Sequence, residues 1–135
     1  MSPILAHTGK ELYRTEIKSS KHTIISDEPE RNAGKDLGFA PKELLAASLA
    51  ACTSITLRMY ADRKEWDLTD VKVVVTFDTD PMDNTFKIQR TIQLFGALHN
   101  DQKARLLTIA NKCPIHKILT NSIAITTDLD LNTDF

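Results

Sequence analysis

A single uninterrupted run, residues 43–64, constrains the fold most, because it contains neither glycine nor proline. Pro41 stands just before the run, and proline suits the first turn of a helix, where its missing N–H would be unpaired anyway. From Leu44 to Ile55 the run is apolar and small on almost every side. A helix that is apolar on most of its circumference is a buried one. We therefore predict a long central helix whose Ala-rich faces allow close packing against a partner helix, including the same helix of a second subunit.

Alternation of apolar and polar residues predicts strands on both sides of this helix. Residues 11–26 predict a hairpin that follows a loose N-terminal arm. Residues 71–77 and 86–94 predict two further strands joined by a turn at 80–84, and residues 123–129 predict a last strand.

Two shorter helices complete the predicted set. A second helix is expected to be capped by Asn100 or Asp101 and to end near Ala110, since both residue types are favoured caps. Cys113 and Pro114 predict the start of a third. The order β-β-α-β-β-α-α-β is that of an α+β fold, with a long central helix packed on antiparallel sheet.

Length and charge exclude several classes of protein. The chain has 135 residues, which predicts a single domain over 1–135. A net charge of -1 gives no electrostatic basis for binding nucleic acid or a membrane surface. We expect no membrane-spanning segment, since no apolar run approaches about 20 residues. Residues 1–10 lack the apolar core of a signal peptide, so the expected location is the cytoplasm.

The two cysteines are the candidates for chemistry. Cys52 lies midway along the long helix, where a free cysteine often packs simply as a small hydrophobe. Cys113 precedes a helix start, a position that favours a thiolate, and His116 follows on the same side. These three residues could together ligate a metal ion, but Cys52 has no second ligand at i+3 or i+4. We therefore expect no metal site.

Two thiols with an arginine suit reaction with a peroxide. The thiolate is the nucleophile, and burial in an apolar helix raises a thiol's pKa unless a cation compensates. Arg31 is the natural cation, because it lies in the long loop 27–41 just before the helix. A loop of that length in a compact domain is functional or disordered. A sulfenic acid formed on one cysteine can condense with the other to a disulfide.

Residues 38–58, GFAPKELLAASLAACTSITLR, resemble the first cysteine motif of the OsmC/Ohr family, named for osmotically inducible protein C and organic hydroperoxide resistance protein. Residues 110–119, ANKCPIHKIL, resemble the second. The resemblance implies an intertwined homodimer with the two long helices at its centre. It implies a thiol-dependent peroxidase that reduces organic hydroperoxides, with Cys52 as the peroxidatic and Cys113 as the resolving cysteine. It also implies no bound cofactor, and an external thiol or a dithiol such as dihydrolipoamide as reductant.

Two departures from the family pattern concern the helpers of the thiolate. Family peroxidases carry a catalytic glutamate ten residues before the first cysteine, where this chain has Lys42. Its carboxylate is Glu43, and nine residues of helix turn about 180°, so Glu43 would face away from Cys52 and favour the helix N-terminus instead. Arg31 lies one residue out of register with the family's catalytic arginine, and Arg14 is a second candidate. With residues 27–29, DEP, after the hairpin and residues 58–61, RMYA, late in the helix, the chain resembles a less characterised OsmC-like branch.

The favoured hypothesis is therefore a peroxidase with Cys52, Cys113, Arg31 and Glu43 as candidate catalytic residues. An apolar pocket beside Cys52 would favour alkyl hydroperoxides over hydrogen peroxide, and its candidate residues are Phe39, Leu45, Leu49 and Met59. Two alternatives stay open from the sequence. One is a non-catalytic dimer that binds an apolar ligand or a partner, and the other is a redox sensor whose disulfide changes a partner's binding.

Overall fold

The computed structural model describes residues 1–82 and 84–132. Helices and strands follow one another in an α+β order. The strands are β1 Leu5–Thr8, β2 Thr15–Lys18, β3 Thr23–Ser26, β4 Asp70–Asp80 and β5 Thr85–Phe95. The helices are α1 Pro41–Arg63, α2 Asn100–Ala110 and α3 Pro114–Leu119, with a short 3-10 turn at Glu30–Asn32. The predicted α+β class is confirmed, and Pro41 opens the long helix as expected.

The chain divides into two compact units. The first comprises Met1–Ala51 with Lys72–Gln93, and the second comprises Cys52–Val71 with the chain from Leu94 onward. In the first unit, β1, β2 and β3 form an antiparallel sheet in that order, and Ile17 of β2 stands opposite Ala6 on one side and Ile24 on the other. Strands β4 and β5 form a separate two-stranded sheet. In the predicted turn between them, Asp83 lies outside the described residues.

The second unit has a core of fully buried side chains. Leu57 of α1 and Leu106 of α2 have no exposed surface, and neither has Thr53. Cys113, directly before α3, is also completely buried. The buried part of this unit therefore includes the second half of α1, α2 and the residue that precedes α3.

The ends of the chain differ from expectation. The N-terminal arm is not loose, because residues 5–8 pair with β2 as strand β1. Residues 123–129 are not in a strand, although their apolar and polar residues alternate. A strand needs a hydrogen-bonded neighbour as well as alternation, and within the described chain this segment is in no ladder. Its apolar side chains Ile123, Ile125 and Leu129 are exposed, and so is Leu131 beyond it.

The start of α2 is also different. The N-terminal cap is His99 rather than Asn100 or Asp101, and the His99 N–H donates to Gln102 Oε1 over 2.8 Å. A glutamine three residues after the cap is able to reach back in this way, as in a capping box.

The long helix is less buried than predicted. Within the chain, Ile55 is 54% exposed and Met59 is 65% exposed. By length and composition α1 could cross a membrane, since its most apolar window has a mean hydropathy of 1.4, so the expectation that no run approaches that length is wrong. A core helix of a soluble protein meets the same criterion. Within the described residues, Ile55 and Met59 on the apolar stripe of α1 therefore stay largely uncovered.

Candidate active site

The two cysteines lie side by side in the second unit. Cys52, on α1, is half-buried, and Cys113, the residue before α3, is fully buried. Their thiols are hydrogen-bonded to each other. Sixty residues of sequence separate them, and the shared core of α1 and α2 brings them together.

The start of α3 contacts both sulfurs through its backbone. The Ile115 N–H donates to the Cys52 sulfur, and the His116 N–H donates to Cys113 Sγ over 3.5 Å. These N–H groups belong to the first helical turn, which has no intrahelical acceptor to offer them. Pro114 fixes the backbone at the first position of that turn. The turn that begins at Cys113 and Pro114 thus contacts both thiols.

The Cys52 thiol is held mainly in its neutral form. Burial raises the pKa of Cys52 above its ordinary value, and the neighbouring Cys113 thiol raises it further. Hydrogen bonds from the Ile115 N–H and the Thr56 hydroxyl act in the opposite direction, because they favour the thiolate. The rise in the pKa of Cys52 through burial is the effect that its position on an apolar helix predicts.

Thr56 and Ile115 were missed as site residues at the level of sequence. Thr56 stands four residues after Cys52 on α1, a spacing that places two side chains on one face of a helix and could have identified it. Ile115 contributes only its backbone, so its residue type carries no signal for the contact.

The other two candidate catalytic residues are found together in the first unit. Arg31 and Glu43 both line one cavity of about 620 Å³, together with Lys42. Arg31 is exposed and belongs to the 3-10 turn Glu30–Asn32. Glu43 accepts the Ala40 N–H over 2.9 Å, at the first turn of α1. This bond makes Glu43 a cap of its own helix, as its position in the sequence favours, and its catalytic role stays a prediction.

The predicted pocket residues occupy different places. Leu49 is buried, whereas Phe39, Leu45 and Met59 are exposed. Phe39 lines a cavity of about 230 Å³ in the first unit with Ala47 and Val75. Met59 lines one of about 390 Å³ in the second unit. Their assignment to a single pocket beside Cys52 stays a prediction. Within residues 1–82 and 84–132, no group of three or more His, Cys, Asp or Glu could hold a metal ion.

Several solved structures have a fold similar to that of this chain. A protein of Psychrobacter arcticus described as an osmotic stress induced and detoxification response protein is 26% identical, with a TM-score of 0.75 over 87% of this chain and 88% of its own. An OsmC-like protein of Mycoplasma pneumoniae is 22% identical, with a TM-score of 0.75 over 89% and 87%. The organic hydroperoxide resistance protein OhrB of Bacillus subtilis is 24% identical, with a TM-score of 0.62 over 87% and 89%.

No curated protein sequence matches the chain. The family model for OsmC-like proteins matches residues 34–128, which include both cysteines and most of the described elements. The chain therefore belongs to the family of OsmC-like proteins.

Proposed function

We propose that the protein is a thiol-dependent peroxidase that reduces organic hydroperoxides. The observation that supports this most is the hydrogen-bonded pair of thiols, Cys52 and Cys113, in a family that includes organic hydroperoxide resistance proteins. A pair of cysteines in contact is what a cycle through a sulfenic acid and a disulfide requires.

The exposure of the two sulfurs assigns their roles. Cys52 is half-buried and Cys113 is completely buried, so a peroxide from solvent reaches Cys52 first. The Cys52 thiolate attacks the distal peroxide oxygen, the O–O bond breaks, and the leaving oxygen takes a proton to become the alcohol. Cys52 is then a sulfenic acid. The Cys113 sulfur attacks it, water leaves, and the disulfide forms.

An external thiol or dithiol closes the cycle. A dithiol such as dihydrolipoamide attacks the disulfide through a mixed disulfide, is itself oxidised to a cyclic disulfide, and returns both cysteines to thiols. No bound cofactor or metal takes part in the proposed reaction. We further propose that the protein acts as a homodimer in the cytoplasm, with the exposed stripe of α1 and the alternating C-terminal segment covered by a second copy.

The test is a mass and free-thiol measurement before and after one equivalent of cumene hydroperoxide, followed by dihydrolipoamide. We expect each chain to lose two hydrogens and both free thiols, and the dithiol to restore them. Turnover with excess peroxide and dithiol then separates a peroxidase from a redox sensor. Thiols that survive the peroxide unchanged would overturn the proposal and favour a non-catalytic dimer that binds an apolar ligand.

Variants at the two cysteines separate their roles. Cys52→Ser should abolish turnover, because no sulfenic acid can form. Cys113→Ser should still reduce one peroxide per chain but stop efficient recycling, and its mass should show one added oxygen instead of a disulfide. Full activity in Cys52→Ser would show that the assigned nucleophile is wrong.

Arg31 and Glu43 are proposed helpers of this reaction. Arg31→Ala should lower kcat/KM for the hydroperoxide if the guanidinium assists the thiolate or the peroxide. Glu43→Gln keeps an oxygen that can accept the Ala40 N–H, so it preserves the cap but removes the charge. A loss of activity in Glu43→Gln at unchanged stability is expected of a catalytic carboxylate.

A further inference from the structure

The loop between β3 and α1 is organised around one buried carboxylate. Asp27 is only 2% exposed, and it accepts four backbone N–H groups. Oδ1 accepts those of Tyr13 at 3.0 Å and Glu28 at 2.8 Å. Oδ2 accepts those of Lys35 at 3.2 Å and Leu37 at 3.3 Å. One side chain thus joins the segment before β2 to both ends of the loop.

The ends of the loop are also closed by the backbone. Ser26 and Phe39 form a parallel bridge, and the Ser26 hydroxyl donates to the Phe39 carbonyl over 2.7 Å. The Asp36 N–H donates to the Glu28 carbonyl over 3.1 Å. A compact loop whose ends meet and whose interior is filled by its own groups is an Ω-loop, a class that is frequently functional.

Arg31 lies at the part of the loop that these bonds enclose. The Asn32 and Gly34 N–H groups both donate to the Pro29 carbonyl, at 2.9 and 3.2 Å. Gly34 has no room for a side chain, since an added Cβ would lie 1.9 Å from the Glu28 carbonyl oxygen. The backbone on both sides of Arg31 is therefore constrained by these two bonds and by the close approach of Gly34 to Glu28.

Burial alone raises the pKa of Asp27, but the four N–H donors more than offset this effect, so its pKa is below the ordinary value. The carboxylate is consequently ionised at neutral pH and able to accept all four bonds. A neutral carboxamide has one acceptor oxygen and one NH2 group, so two of the four N–H groups lose their acceptor whichever way it is turned.

We propose that Asp27 is the positioning residue of the Arg31 loop: its carboxylate fixes the backbone that presents Arg31 to the cavity shared with Glu43. The inference rests on the function proposed above, because it acts on the reaction only through Arg31. Asp27 touches neither substrate nor cysteine in this role.

The test compares Asp27→Asn with Glu30→Gln, which makes the same change from carboxylate to carboxamide at an exposed residue next to Arg31. Hydrogen exchange followed by NMR needs no activity. In Asp27→Asn we expect exchange about tenfold faster at two or more of the four amides bonded to Asp27, whereas Glu30→Gln should exchange as the wild type does. Unchanged exchange in Asp27→Asn would overturn the proposal.

A double-mutant cycle on kcat/KM tests the link to Arg31. Asp27→Asn should lower kcat/KM about tenfold when Arg31 is present and leave it unchanged in the Arg31→Ala background. Equal losses in both backgrounds would show that Asp27 acts on the fold in general and not through Arg31. Where Asp27→Asn does not fold, Asp27→Glu keeps the charge but displaces it by one methylene, and the same cycle applies.

Failure of the proposed function gives a different result. Wild-type protein without turnover would overturn the peroxidase assignment and with it the link to Arg31, while fast exchange in Asp27→Asn would still show that the carboxylate holds the loop.

Discussion

Cys52 shows at the scale of one residue how burial and hydrogen bonding compete at a thiol. Its apolar helix favours the neutral form, and so does the thiol of Cys113. The Thr56 hydroxyl and the Ile115 N–H favour the thiolate. A residue of this kind reacts slowly until a substrate or a proton acceptor shifts the balance, because the thiolate is the reactive species. The residues around it therefore control its rate as much as the sulfur itself does.

This balance predicts how Cys52 alkylation depends on pH. The pKa of Cys52 is raised, so its rate with iodoacetamide should still increase with pH beyond the range in which an ordinary thiol has levelled off. Cys113→Ala removes one cause of the raised pKa and should move the midpoint down, whereas Thr56→Val removes a donor and should move it up. Peptide mass spectrometry measures the rate at each pH.

The control for Thr56→Val is Thr108→Val on α2, an exposed residue whose hydroxyl donates to the Ala104 carbonyl of its own helix. Its alkylation profile should match that of the wild type. A Cys52 midpoint that is the same in all four proteins would contradict the account of its environment given above.

At the scale of one element, helix α2 has one face that is buried in the core and an adjacent face that is exposed to solvent. Leu106 has no exposed surface, and its neighbour Leu107 is 62% exposed. Ile109 and Ala110 lie on the buried side with Leu106. This buried face belongs to the same core as Cys113, so the packing of α2 supports the position of the second thiol.

Leu106→Ala should therefore lower the free energy of unfolding by about 2–5 kcal/mol, the usual cost of a buried Leu→Ala change. Leu107→Ala makes the same change one residue away and should cost less than about 1 kcal/mol. Urea unfolding followed by circular dichroism measures both. Similar losses in the two variants would show that Leu107 is covered, for example by a second chain.

Local signals explain which elements the sequence could predict. Pro41 and Pro114 mark the starts of α1 and α3 because proline acts within its own turn. Strand β1 shows no alternation of apolar and polar residues and forms by pairing with β2, so its sequence alone could not predict it.

The proximity of Cys52 and Cys113 depends on packing between helices distant in sequence. Family motifs suggested that pairing, but neither spacing nor periodicity could. The four bonds to Asp27 likewise appear only in three dimensions.

At the scale of the whole molecule, several large apolar side chains are exposed in the described part of the chain. Ile55 and Met59 on α1 are exposed, and so are Ile123 and Ile125 near the C-terminus. Ile55 and Met59 are one helical turn apart, and apolar surface that is contiguous and exposed marks an interaction site. The alternation in residues 123–129 is that of a strand without a neighbour. Both observations support the proposed homodimer.

Sedimentation equilibrium should accordingly give about twice the chain mass of 15.1 kDa. Ile55→Glu places a charge on the exposed stripe of α1 and should weaken the dimer by at least about tenfold, since burying an unpaired charge is costly. Arg63→Gln, at the polar end of the same helix, is the control and should leave the mass unchanged. A wild-type protein that sediments as a monomer at micromolar concentration would contradict the dimer.

The closed loop around Asp27 has a consequence for how this protein can change over generations. Its bonds connect the loop mainly to itself, and its two ends leave the scaffold at one point, Ser26 and Phe39. A segment of this kind can change its exposed side chains while the strands and helices keep their contacts. New specificities on this scaffold are therefore most accessible by substitution at the exposed residues Glu30 and Asn32 beside Arg31, with Gly34 and the buried carboxylate retained.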